Sequence, residues 1–233
     1  MTLVRVALLL FVPVLAACHT EPTPAAVTLP PSTAPTTTTS TSTTTMTTST
    51  TPKPGPVGEY FPDEAHGGFS DFVRDWYGKH LRTMGEPSLW EASRSAPARE
   101  TWRFTGLRTW GHPVAIRFDV DGAAATMTYV ELDGSGGYAP GSVTIDRTTK
   151  LSAAEWARVS TAIAKAGFWS LPTTIPDTGL DGLQWVIEGT AGGKYHVTDR
   201  WTPSYDTARR GLTDYQAACR AAFDVAKVSG TFE

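Results

Sequence analysis

Residues 113–132 read PVAIRFDVDGAAATMTYVEL, and their pattern decides the fold. Val114, Ile116, Phe118 and Val120 alternate with Ala115, Arg117 and Asp119, the period of a strand with unlike faces. Asp121-Gly122 then gives a two-residue hairpin signal. With Asp121 and Gly122 at the centre of the turn, Val120 falls opposite Ala123, Phe118 opposite Ala125, Ile116 opposite Met127 and Val114 opposite Tyr129. These residues make one apolar face, and Arg117, Asp119, Thr126 and Thr128 share the other.

The same reading extends in both directions. Glu100 to Thr109 alternates around Trp102 and Phe104, and Ser142 to Arg147 is a short strand with Val143 and Ile145 directed inward. Upstream, Phe69, Phe72, Val73, Trp76, Tyr77, Leu81 and Met84 form a helical stripe, with Ser70 as its cap and Gly85 as its left-handed stop. Pro87 and Pro97 leave 86–99 as loop or a single turn. Ser152 and Glu155 form a capping box for a second helix, which buries Trp156, Val159, Ile163 and Ala166.

A last hairpin pairs Leu183 to Gly189 with Lys194 to Trp201. If its apolar odd positions share one face, the loop is the three-residue Ala191-Gly192-Gly193, Glu188 lies opposite His196, and Gln184 lies opposite Arg200. A helix from about 206 to 228 closes the chain. The sum is an α+β domain: a mainly antiparallel sheet of about six strands and three helices in the order α-β-β-β-β-α-β-β-α. Its helices lie largely on one face, and the other face is partly wet.

Candidate chemistry collects at a few places. Glu188 opposite His196 is an acid–base pair, with Asp181 as a further carboxylate, unless that polar face only meets water. Asp177-Thr178-Gly179-Leu180-Asp181-Gly182 and Glu188 match part of an EF-hand loop, but Pro172, Pro176 and the strand pattern refuse the helices such a loop needs. Asp133-Gly134-Ser135-Gly136-Gly137 resembles a shuffled serine-protease motif and fails the nucleophile elbow, so it reads as a loop. No cofactor or metal ion is expected. Of the eight tryptophans, Trp76, Trp102, Trp156 and Trp185 fall on inward faces. Trp110, Trp169 and Trp201, with Arg200, are the candidates for ligand contact, and Trp90 is also open.

The remaining 56 residues supply an address. Met1 to Ala17 carries Arg5 and the apolar run Val6 to Leu15, too short to cross a bilayer and laid out as a secretory signal. Leu15-Ala16-Ala17-Cys18 resembles the lipobox of bacterial lipoproteins. That resemblance implies cleavage before Cys18, a diacylglycerol on its sulfur and an acylated amino group, hence anchoring to a bacterial membrane outside the cytoplasm. In a cell with two membranes, His19 after the cysteine implies the outer membrane, facing the periplasm. Residues 19–56 hold 16 Thr, 8 Pro and 4 Ser, a composition that cannot offset its ordering entropy and reads as a disordered tether reaching about 120 Å when extended.

Residues 57–233 are then one domain, large enough to fold without disulfide or metal. With Cys18 acylated, Cys219 has no partner and sits on a helical apolar stripe as a small buried hydrophobe. Of the chain's 20 basic and 23 acidic side chains, setting aside Arg5, Lys53 and Glu21 leaves a domain of net charge −4, which excludes a nucleic-acid binder held by bulk charge. Phe168-Trp169, Gly179 to Gly182, Trp185, Glu188, Tyr195-His196 and Arg200-Trp201-Thr202-Pro203 resemble a segment of uncharacterised bacterial proteins, which implies no activity. The expectation is a non-catalytic envelope module for a protein or peptidoglycan-like glycan partner. An inhibitor of an envelope enzyme is one version of it, and a hydrolase using Glu188 and His196 is the alternative.

Overall fold

Six antiparallel strands in the spatial order β4-β3-β2-β1-β5-β6 form the frame of a computed structural model, which describes residues 59–176 and 179–228. The strands are β1 (Thr101–Arg108), β2 (Val114–Asp121), β3 (Ala124–Leu132), β4 (Val143–Leu151), β5 (Leu183–Ala191) and β6 (Lys194–Trp201). Four α-helices accompany them: α1 (Asp71–Thr83), α2 (Leu89–Ser95), α3 (Ala153–Lys165) and α4 (Thr213–Ala226). No helix of the described residues is long and apolar enough to cross a membrane. The expected signal, Cys18 and tether lie outside the described residues.

The mixed α+β class and the six-stranded antiparallel sheet agree with the sequence reading, and the helix count does not. The additional helix is α2, in the segment expected to be loop. Ser88 starts it by accepting a hydrogen bond from the Glu91 amide at 3.1 Å, a serine cap followed three residues on by glutamate. The last helix is also shorter than expected, because residues 203–211 form turns and Asp206 takes a positive φ of 48°.

Both sheet faces are covered, which corrects the expectation of helices on one face. Trp102, Phe104, Ile116, Phe118, Met127 and Trp185 pack with Trp156, Val159 and Ile163 of α3 and with Tyr215, Cys219 and Phe223 of α4. Leu107, Ala115, Val130, Val186 and Val197 pack on the opposite side with Tyr77 and Leu81 of α1. Cys219 is buried, free and held above its ordinary pKa by that burial, as a small hydrophobe would be. Phe72 is 74% exposed and leaves the expected stripe, and Val143 and Ile145 are exposed on the edge strand β4 rather than inward.

Turn chemistry sets both hairpin registers. Between β2 and β3 the pairs are Val120↔Ala125, Phe118↔Met127, Ile116↔Tyr129 and Val114↔Glu131, two residues away from the expected register. Gly122 takes the first central position at φ 59° and Ala123 the second, so Asp121 avoids the left-handed conformation that an Asp-Gly turn would require of it. A shift of two keeps every side chain on its expected face. Between β5 and β6 the loop is Gly192-Gly193, with φ of 57° and 74°, and Ala191 pairs with Lys194. That is one residue fewer than expected, and it turns β6 over.

Asp199 shows the result. It lies on the α1 side, where the Tyr77 hydroxyl donates to it at 2.7 Å. Burial raises its carboxyl to about 6, against the Tyr77 bond and the charge of Arg200. The folded chain thus binds this proton more tightly than the unfolded chain does. The site makes stability fall as pH rises from about 4 to about 6, by on the order of 3 kcal/mol in total. Asp199→Asn keeps an acceptor for Tyr77 without the charge. Urea denaturation at pH values across that window is expected to show the variant gaining on the parent as pH rises, and equal slopes for the two would refute the assignment.

Candidate functional site

The candidate acid–base pair comes apart in the structure. Glu188 is opposite Val197, not His196, and His196 is opposite Gly189, so the two side chains project from different faces of the sheet. Glu188 is fully buried. Its Oε2 accepts from Arg103 Nε at 2.7 Å, with Arg103 Nη2 2.5 Å from the same oxygen, and its Oε1 accepts from the Tyr195 hydroxyl at 2.9 Å. Arg103 also donates to the Pro87 carbonyl at 2.6 Å and reaches Glu86 at 3.4 Å, while Arg117 Nε donates to Glu86 at 3.0 Å. Burial pushes the Glu188 carboxyl up, against the charge of Arg103. Burial also works against the charge of Arg103, but Glu188 and Glu86 outweigh it and raise the guanidinium above its usual value.

His196 projects to the other side, where its Nε2–H donates to the Leu171 carbonyl at 2.8 Å and its ring meets Phe168 at 5.0 Å. Burial pulls its pKa below the ordinary value, against that hydrogen bond. Arg200, proposed from sequence as a ligand contact, is buried with its donors spent on the chain itself. Nη1 donates to the carbonyls of Thr173 at 3.1 Å and Asp199 at 2.6 Å, and Nη2 donates to Pro172 at 2.8 Å. It fastens residues 172–173 to β6, where Asp199 N also donates to Thr173 at 2.7 Å.

Three sequence candidates do meet. At the end of the sheet where β1 and β6 stop and β5 begins, Trp110 Nε1 donates to the Asp181 carboxylate at 3.2 Å and Trp201 Nε1 donates to the Asp181 carbonyl at 3.0 Å. Tyr138 lies 5.1 Å from the Trp110 ring and Tyr205 lies 5.9 Å from Trp201. The result is a row, Tyr138, Trp110, Asp181, Trp201, Tyr205, in which Trp110 is 70%, Tyr138 53% and Tyr205 59% exposed. Trp169, the third aromatic candidate, sits at the opposite end beside Trp102, 5.4 Å away. Trp90 is packed under Arg94 and Tyr195 on the α2 side.

Specific packing positions this row. A Cβ on Gly179 would stand 2.0 Å from the Trp201 ring, so a glycine is needed for the loop to lie on the indole. Thr109 N donates to the Gly182 carbonyl at 2.9 Å and Gly182 N donates to Thr109 Oγ1 at 3.1 Å, tying the loop that carries Trp110 to the one that carries Asp181. The loop that follows β3 brings Tyr138 and is held from α1, where Trp76 Nε1 donates to the Gly136 carbonyl at 2.6 Å. The expected Asp-Gly-Ser-Gly-Gly loop is therefore a loop, with a structural role.

Sequence reasoning missed one polar unit at this end. His112 Nδ1 donates to Glu131 Oε1 at 2.9 Å, and the Tyr129 hydroxyl donates to Glu131 Oε2. Burial and Glu131 hold the Tyr129 hydroxyl well above its usual pKa. His112 and Glu131 share a face in either hairpin register, so parity was the available signal. Among the described residues, no group of three or more His, Cys, Asp or Glu side chains could hold a metal ion, and Asp181 and Glu188, the two described acids of the partial EF-hand match, do not converge. Asp177 lies outside the described residues. Compared with known proteins, the chain matches no family model, and no curated protein matches it significantly.

The buried pair makes a direct prediction. Arg103→Met strands the Glu188 carboxylate and is expected to cost about 3–5 kcal/mol in urea denaturation, whereas Arg103→Met with Glu188→Leu recovers most of that loss. Purely additive effects would show that the two charges are not coupled.

Proposed function

We propose that this protein is a lipid-anchored envelope module, outside the cytoplasm, that binds a glycan without transforming it. The observation that carries the glycan reading is the row of exposed rings with the Asp181 carboxylate inside it. A sugar offers an apolar C–H face and a rim of hydroxyls. Indole and phenol faces match the former, and a carboxylate accepts strongly from the latter. The second ring face is supplied within reach of the first, since Tyr138 stands beside Trp110 and Tyr205 beside Trp201.

The anchor rests on Leu15-Ala16-Ala17-Cys18, and the Thr/Pro-rich stretch from 19 to 56 supports a tether between bilayer and domain. Separation of Glu188 from His196 leaves the hydrolytic alternative without its pair. The envelope-enzyme inhibitor remains the protein-partner version, and it lacks a comparable surface argument.

Two measurements test this function. Mass spectrometry of the membrane-extracted native protein is expected to find Cys18 at the new N-terminus carrying acyl mass, and Cys18→Ser is expected to leave the membrane fraction. In co-sedimentation with purified peptidoglycan, the parent is expected to pellet. Trp110→Ala with Tyr138→Ala, both exposed positions, is expected to weaken binding by about tenfold or more without loss of stability. Equal pelleting of parent and variant would remove the row from the function.

A further inference from the structure

We infer that the domain has a second, chemically different site, for a small organic cation of the alkylammonium class. It lies at the opposite end of the sheet from the aromatic row, in a cleft of about 400 Å³ between the start of β1 and the end of α3. Trp102, Phe168, Trp169 and Ile163 supply its apolar wall. Among the described residues, Glu100 is the only charged side chain of its lining, and Ser160 and Ser170 add hydroxyls.

Three features point to positive charge in the ligand. Aromatic faces attract cations through the ring quadrupole, most strongly for indole, and two indoles meet here with centroids 5.4 Å apart. Glu100 brings a full negative charge to those rings. Its Oε1 accepts from Trp102 Nε1 at 2.8 Å, which fixes the carboxylate beside the indole and leaves the other oxygen for a ligand. The cleft also opens at the C-terminal end of α3, where backbone carbonyls carry partial negative charge. The nearest basic residue in sequence on that helix, Lys165, is drawn off to Asp214, 2.9 Å away.

Space at the cleft is compatible with a ligand. Gly167, in the left-handed conformation at φ 64°, would point a Cβ into open space, and Trp169 is 42% exposed. A volume of this size suits a ligand of drug-like dimensions or smaller. Among the described residues no basic side chain lines the cleft, which disfavours an anion, and the single carboxylate separates this cleft from a purely apolar one.

The test uses choline and its neutral carbon isostere, 3,3-dimethylbutan-1-ol, titrated into the full chain while the indole N–H resonances of Trp102 and Trp169 are followed by NMR. Choline is expected to shift both, with the isostere about tenfold weaker or worse. Glu100→Gln, which keeps the acceptor for Trp102, is expected to weaken choline binding by about tenfold without moving the unfolding midpoint, and Trp169→Leu is expected to do the same by a separate route. Equal binding of choline and isostere, an unchanged affinity in Glu100→Gln, or no shift with choline at about 10 mM would each overturn the inference. The isostere comparison needs no variant, so a misfolded mutant does not shield the claim.

Discussion

Arg103 and Glu188 are fully buried against each other in the middle of the sheet, and the α1 and α2 side of the domain is organised around them. Two ions taken out of water must find charge and hydrogen bonds inside the protein. Glu86, in the turn between α1 and α2, answers both Arg103 and Arg117, and the Pro87 carbonyl takes another Arg103 donor. Tyr195 satisfies the second oxygen of Glu188, and Tyr60 donates to the Glu86 carbonyl at 3.0 Å, drawing the start of the described chain into the same cluster. The α1–α2 turn therefore cannot shift without stranding a charge. A sheet whose second face holds such a cluster is dry on both sides there, and only the edge strand β4 stays in water.

That constraint also governs where binding can occur. With α3 and α4 over one face and α1 and α2 over the other, the flat surfaces of the sheet inside the edge strand β4 are occupied largely by core. Loops at the two ends remain for recognition, and the exposed aromatics other than Phe72 of α1 gather there. One end sets four rings about Asp181, and the other sets Trp102 and Trp169 about Glu100. The sheet separates the two ends, so each can be altered without rearranging the other.

The same two-sided burial explains which parts of the fold were legible in the sequence. Val114 to Val120 and Ala125 to Tyr129 alternate cleanly, and their faces survive a register error of two because side-chain direction repeats every second residue. Leu183 to Ile187 and Tyr195 to Trp201 also alternate. Aligning their apolar positions assumed one dry face, whereas Val186 and Val197 serve one core while Trp185 and Ile187 serve the other. Parity then holds no information about which residues oppose, and the Gly192-Gly193 turn decides. Helix α2 was hidden by its seven residues, too few for periodicity to register, although Ser88 and Glu91 carried the cap signal. Trp110, Asp181 and Trp201 were individually visible, but their meeting was not, because Thr109 and Gly182 join across the β1–β5 pairing of residues more than 70 positions apart.

The physical case for recognition at the aromatic row lies in how little of it must be ordered when a ligand arrives. Binding free energy is reduced by every side chain and loop that has to be immobilised. Here Trp201 is already bonded to Asp181 and packed against Gly179, and Trp110 is bonded to the same aspartate. The loop carrying Tyr138 is held from α1 by Trp76, whose Nε1 donates to the Gly136 carbonyl. Exposed rings on pre-bonded loops combine contact area with low ordering cost. That combination is what the proposed glycan reading of the row rests on.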